Sequence, residues 1–171
     1  MREQTTKLRT GRGKRLLLTA AAVLLSLAAA ALIWRLAVYE PAFQPPEMEL
    51  TAQYGVPSPP ETLRYGAVSV DNGFSFSIAG TMYQQQDASL LVYFTNPTGS
   101  GCNMQCVVSD ENGNTLYRSG AVPPGCYVEK LAPVAEMKNE AMPIEICVYA
   151  FEPGTWYSMG TIELANTLYP W

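Results

Sequence analysis

The uncharged run Leu16 to Trp34, LLLTAAAVLLSLAAAALIW, constrains this chain more than any other feature. As a helix rising about 1.5 Å per residue, the run would span about 29 Å, close to the hydrocarbon thickness of a bilayer. Residues 1–15 form a basic tail with Arg2, Lys7, Arg9, Arg12, Lys14 and Arg15 against Glu3 alone, whereas Arg35 is the one cation just beyond the run. The positive-inside bias therefore predicts a cytoplasmic N-terminus, a single-pass transmembrane helix over residues 16–38 that acts as a signal anchor, and an extracytoplasmic C-terminal bulk. Trp34 and Tyr39 would lie at the outer headgroup level, where an aromatic ring can keep its polar edge in water.

Cleavage as a signal peptide is the rival, since Ala28 to Ala31 supply small residues behind an apolar stretch of suitable length. The apolar character continues through Leu32, Ile33 and Trp34, which favours an uncleaved anchor. Ala22, Ser26 and Ala30 recur at four-residue spacing and would let a second helix approach, although an alanine-rich span produces such spacings by chance.

From Glu40 onward, fourteen acidic side chains face four basic ones, Arg64, Arg118, Lys130 and Lys138, a balance of −10. That surface repels phosphate backbones, so no nucleic-acid partner is expected; the bilayer and a protein are the expected partners. The chain has no histidine. The usual neutral-pH general base, the Ser/His/Asp and Cys/His systems and the commonest metal ligand are therefore missing. No catalytic, cofactor-binding or metal-ligating residues are assigned, and no enzyme activity is expected. A small carboxylate-dependent hydrolase is the catalytic alternative, but it needs a cleft.

Residues 39–62 hold Pro41, Pro45, Pro46, Pro57, Pro59 and Pro60 and read as an extended, semi-rigid linker. Residues 63–171 then alternate short runs rich in Val, Ile, Tyr, Phe and Thr with turn-forming clusters, an all-β pattern that fits a β-sandwich. Strands are predicted over 66–70, 74–78, 89–95, 103–109, 115–118, 127–131, 144–151 and 161–164. Asp110 to Asn114 predicts a tight hairpin. The same residues imitate the start of a calcium loop, but Thr115 stands where glycine is needed and Ala121 where glutamate is needed. Ile144, Ile146, Val148 and Ala150 alternate with Glu145, Cys147, Tyr149 and Phe151, as in a central strand covered on one face and partly on the other.

The series Gly80-Thr81-Met82, Phe94-Thr95-Asn96-Pro97, Asn112-Gly113, Tyr117-Arg118-Ser119-Gly120 and Pro124-Gly125, with Tyr149-Ala150-Phe151-Glu152-Pro153 and Gly160, resembles a family of uncharacterised, membrane-anchored β-sandwich proteins of Gram-positive bacteria. The resemblance covers about residues 74 to 168. It implies an extracytoplasmic immunoglobulin-like fold and transfers no catalytic residues, because its motifs are turns and strand ends. The chain departs from the family at Lys138 to Pro143, where members often carry a Gly-Glu-Tyr entry to the late strand.

Cys102, Cys106, Cys126 and Cys147 fall on the side of the membrane where oxidation is permitted, and they allow three complete pairings. On an extended strand, Cys102 and Cys106 would stand about 13 Å apart, too far to bridge. With Cys102 and Cys126 opening strands at one end of the sandwich, Cys102–Cys126 is the preferred disulfide. Cys106 and Cys147 would lie on neighbouring strands, paired or as small buried thiols. Zinc is not expected, since the spacing lacks two CxxC hooks. Trp156, Tyr157, Tyr169 and Trp171, like Tyr83 and Tyr93, would either complete the core or form a binding surface. The functional expectation is a noncatalytic module that binds a protein partner, or supports a cell-surface or envelope assembly, through a sheet edge or end loops.

Overall fold

A computed structural model describes residues 9–38, 43–70 and 73–170, with the helical side chains described over 21–35. Arg2, Lys7, Tyr39 and Trp171 lie outside the described residues. The chain divides into two units, residues 1–44 and 45–171.

The first unit contains helix α1, Arg9–Val38. Every described side chain on it is exposed, Val23, Leu24, Leu25, Leu27, Leu32, Ile33 and Trp34 among them. Among the described residues no helix is long and apolar enough to cross a membrane. The window with described side chains, residues 21–35, would rise about 22 Å, short of a hydrocarbon core of about 30 Å, whereas the expected span of 16–38 extends past it at both ends.

The second unit is all-β. Its strands are β1 (Gln53–Tyr54), β2 (Gly66–Ser69), β3 (Ser75–Ile78), β4 (Met82–Gln84), β5 (Leu90–Asn96), β6 (Asn103–Asp110), β7 (Thr115–Arg118), β8 (Cys126–Leu131), β9 (Met142–Phe151) and β10 (Ser158–Pro170), with a 3-10 turn at Glu61–Leu63 before β2. They form one curled sheet in the order β1-β8-β5-β4-β10-β9-β6-β7, with β3 also pairing β5 and β2 pairing β3. All eight sequence-predicted strands are present. β10 is longer than expected, and β1 and β4 are additional. Every strand pair is antiparallel except β4 with β10.

The core follows from period-two alternation. Ile144, Ile146, Val148 and Ala150 of β9 stand opposite Asp110, Val108, Cys106 and Met104 of β6, and all of these but Asp110 are buried. Leu90, Val92 and Phe94 of β5 are buried, as is Val128 of β8, with the Phe76 and Phe94 rings 5.7 Å apart. Each such large apolar side chain contributes about 1.5–3 kcal/mol by leaving water. One extra residue on β5 between Leu91 and Phe94 breaks the register with β8, and Tyr93 takes a positive φ of 44° there, a β-bulge.

The expected linker 39–62 overlaps the β unit. Residues 45–62 belong to the β unit: Met48 bridges Ala121, β1 pairs β8, and Leu63 just beyond is 1 % exposed. Proline keeps a chain extended but does not stop its non-proline neighbours from using their backbone groups, and the amides of Glu49 and Gly55 donate to Ala121 and Gly125. The Asp110 hairpin forms as predicted, with Gly113 at φ 80°. The Asp110 carboxylate accepts hydrogen bonds from the Asn112 and Asn114 amides and the Asn114 side chain, which engages its oxygens within the turn and holds its carboxyl below the usual range.

Candidate functional site

The β4–β5 hairpin lies beside two cavities. Gln85 N donates to Ser89 O at 2.7 Å, Ala88 N donates to Gln85 O at 2.9 Å, and Ala88 adopts a positive φ of 62°. The turn is held from below by Tyr117, whose Oη donates to Ala88 O at 3.0 Å. Tyr117 is fully buried, and burial pushes its phenol up to about 12.

The first cavity, about 370 Å³, is lined by Gln84, Gln85, Gln86, Ala88, Met137 and Asn139. Gln84 is 6 % exposed, and neither its Oε1 nor Gln85 Nε2 has a hydrogen-bond partner among the described residues. Sequence reasoning missed this group because a Gln run reads as solvated surface. The available signal was the alternation Met82-Tyr83-Gln84, which sends Gln84 to the same side as Met82.

The second cavity, about 350 Å³, brings Arg118 and Lys130 together with Glu49 and Asp87. Burial pushes the Glu49 carboxyl up, but hydrogen bonds from the Thr51 hydroxyl, the Thr51 amide and the Gly120 amide outweigh it and hold the group below its usual range. Asp87 accepts from the Ser89 hydroxyl and amide and lies 3.6 Å from Lys130, a solvent-exposed pair of little energetic weight. Both acids are thus engaged by protein groups.

On the outer face of β9 and β10, ligand atoms of Glu145, Cys147 and Glu163 lie within 4.8 Å of one another. Burial, then the charges of Glu145 and Glu163, push the Cys147 thiol up, against a lowering hydrogen bond with Tyr149. The thiol is therefore held protonated, the form that attacks electrophiles poorly.

All four cysteines carry free thiols in the structure. Cys126 stands opposite Asn96 in the β5–β8 ladder, and the Asn96 side chain donates to Cys102 O at 2.8 Å, so the residues expected to pair gather around one side chain. Cys106 and Cys147 do lie on neighbouring strands, but Cys106 opposes Val148 and Cys147 opposes Val107, which puts them on opposite faces. Burial raises the fully enclosed Cys106 thiol to about 12.

Among the described residues, the aromatic rings meet in pairs and not as one cluster of Trp156, Tyr157 and Tyr169. Trp156 packs on Phe151 at 6.0 Å, Tyr83 neighbours Tyr169 at 6.0 Å, and Tyr157 is exposed. A different apolar group flanks the sheet edge at β1, where Leu50, Tyr54 and Val56 are 95 %, 80 % and 84 % exposed. Comparison with family models, with curated proteins and with solved structures finds no match to this chain.

Proposed function

We propose that the chain is a noncatalytic, membrane-anchored module that holds an immunoglobulin-like sandwich outside the membrane and binds a protein partner of a cell-surface or envelope assembly. The anchor reading is supported by the uncharged run 16–34, by the basic residues before it, and by the apolar circumference of α1, whose described side chains are all exposed. A helix that is hydrophobic all round belongs inside protein or lipid. The immunoglobulin-like reading is supported by strand order: β7-β6-β9-β10 follows C′-C-F-G, and β4-β5-β8 follows A-B-E. It also agrees with the resemblance to membrane-anchored sandwich proteins of Gram-positive bacteria.

The observation that carries partner binding is the β1 edge. An edge strand flanked by Leu50, Tyr54 and Val56 offers backbone pairing groups and apolar side chains together, the combination used in strand addition. A photocrosslinking residue at position 54, activated in intact cells, is expected to give one discrete adduct, and Val56→Lys in the same chain is expected to remove it. Only the uncrosslinked chain, or an adduct pattern unchanged by Val56→Lys, would refute the edge as the docking surface. Recovery of the complete chain in a detergent-free soluble fraction would separately refute the anchor.

A further inference from the structure

We propose that Glu145, Cys147 and Glu163, on the outer face of β9 and β10, form a binding site for a borderline divalent cation, Zn²⁺. Their ligand atoms, two carboxylate oxygens and a thiol sulfur, lie within 4.8 Å of one another. Both glutamates are exposed and Cys147 is half-buried, so a solvated cation reaches all three. The site needs neither the anchor nor the β1 edge.

Strand register builds the cluster. Glu163 stands opposite Cys147 in the β9–β10 ladder, and Glu145 precedes Cys147 by two residues on β9, so the three share one face. Directly opposed side chains start about 5 Å apart, and residues two apart on a strand about 6.6 Å, which makes Cys147 the corner of a triangle. Ala165, opposite Glu145, adds only a methyl group at the remaining corner. The spacing in the sequence hid the site, because its ligands come from two strands that meet only in the folded sheet.

Two carboxylates gain nothing by leaning together unless a cation joins them, since like charges repel and both could swing apart into water. Among the described residues neither Glu145 nor Glu163 makes a hydrogen bond or an ion pair, whereas the carboxylates of Glu49, Asp87, Asp110 and Glu152 are taken by donors of their own chain. The lone pairs over Cys147 are therefore open to a cation.

The donor set selects the metal. Zn²⁺ accepts sulfur at about 2.3 Å and carboxylate at about 2.0–2.2 Å, in a tetrahedron whose fourth corner can be water. Such bonds bring the donors to about 3.5 Å from one another, within reach of small rotations of two flexible Glu side chains. Ca²⁺ and Mg²⁺ call for six or more oxygen ligands, and Cu⁺ prefers more sulfur. Tyr149, two residues beyond Cys147, donates its phenol to the sulfur, which orients it and favours its ionised form. Binding replaces the S–H bond with an S–Zn bond and releases the proton to buffer. The charges of Glu145 and Glu163, which otherwise oppose ionisation of the thiol, are neutralised by the cation.

The test is a titration of the full, untagged chain in detergent micelles, reduced and freed of metal by chelation, with Co²⁺ as spectroscopic probe and Zn²⁺ as competitor. One Co²⁺ per chain is expected to bring up a thiolate-to-cobalt charge-transfer band with a dissociation constant at or below about 100 μM, and Zn²⁺ is expected to erase it. Zn²⁺ should slow alkylation of Cys147 at least about tenfold and that of Cys126 by less than about twofold. Ca²⁺ or Mg²⁺ at about 1 mM should neither compete nor protect. Cys147→Ser should abolish the band, and Glu163→Gln and Glu145→Gln should each weaken Co²⁺ binding at least about tenfold. If Cys147→Ser does not fold, Glu163→Gln, on an exposed side chain, decides the matter. Absence of the band, a band that persists in Cys147→Ser, unchanged affinity in both Glu variants, equal protection of Cys126, or equal competition by Ca²⁺ overturns the proposal.

Discussion

The backbone amide of Gly120 donates to the Glu49 carboxylate at 2.6 Å, and a Cβ added to Gly120 would stand 2.7 Å from the Glu49 Cα. The contact is with backbone, which cannot rotate away. Gly120→Ala is therefore expected to push residues 47–49 off the sheet and destabilise the β unit by about 1–3 kcal/mol in urea unfolding. Gly99→Ala, where nothing lies within 4 Å, is the control and should change stability by less than about 0.5 kcal/mol. Because the folded Glu49 carboxyl sits below its ordinary 4.5, its contribution is present above that pH and fades as pH falls through the lowered value. Equal stability of the two glycine variants would contradict this account.

Asn96 is fully buried and donates from Nδ2 to the carbonyls of Cys102 and Val122, both at 2.8 Å, joining the loops on either side of β6 and β7. Asn96→Ala is expected to cost about 1–3 kcal/mol, since it removes one of two donors from each carbonyl, leaving the Met104 amide on Val122 O and the Ser100 hydroxyl on Cys102 O. Asn96→Asp should cost more, because a carboxylate would face those carbonyl oxygens. Urea unfolding of both variants checks the order; a loss under about 1 kcal/mol for Asn96→Ala would show the amide to be dispensable.

Two buried acids set an alkaline limit. Burial raises Tyr117 from 10.0 to about 12, and burial with the Cys147 charge raises Cys106 from 9.0 to about 12. Both raised groups leave stability intact below pH 9.0 and remove it as pH climbs toward about 12, where the folded state must also ionise. Tyr117→Phe should flatten the upper part of this decline and cost about 1 kcal/mol at neutral pH for the hydrogen bond to Ala88. An unfolding curve against pH with the same alkaline slope in wild type and variant would exclude Tyr117 as the source.

Cys147 should respond to charge on its neighbours. Glu163→Gln or Glu145→Gln removes a negative group that disfavours the thiolate, so alkylation at pH 8 is expected to speed up about two- to fivefold. Cys106, enclosed on the other face, should stay unreactive in the same samples. Mass spectrometry of the alkylated peptides reads both sites, and an unchanged Cys147 rate would mean the carboxylates do not control it.

Oxidation of the four thiols should join Cys102 to Cys126, whose backbones both meet at Asn96, and should not join Cys106 to Cys147 across the sheet. A native disulfide of this kind contributes roughly 3 kcal/mol. Non-reducing peptide mapping of the oxidised chain identifies the linkage, and a Cys106–Cys147 peptide would rule this pairing out.

The longer strands were legible because they carry period two. Ile144, Ile146, Val148 and Ala150 announce one face of β9 without any structure. β1 and β4, with two and three residues, are too short for periodicity to register. The lead-in at residues 45–62 was hidden by its prolines, which encode extension but not the partner the extended chain finds. Turn glycines were visible as turns, yet the close approach that makes Gly120 or Gly80 necessary depends on chain distant in sequence, Glu49 in one case and Arg64 in the other. The cavity glutamines were invisible for the same reason: residue type says surface, and register on β4 says interior.

The lead-in segment also has a mechanical consequence. Traction on the chain ahead of Pro45 meets the Ala121–Glu47 and Glu49–Ala121 hydrogen bonds, then the Gln53 and Tyr54 rungs, and only afterwards the Gly55 bond to Gly125. The domain would yield to load by unzipping this seam rung by rung, shielding its interior from a jolt that a bare flexible leash would deliver undamped.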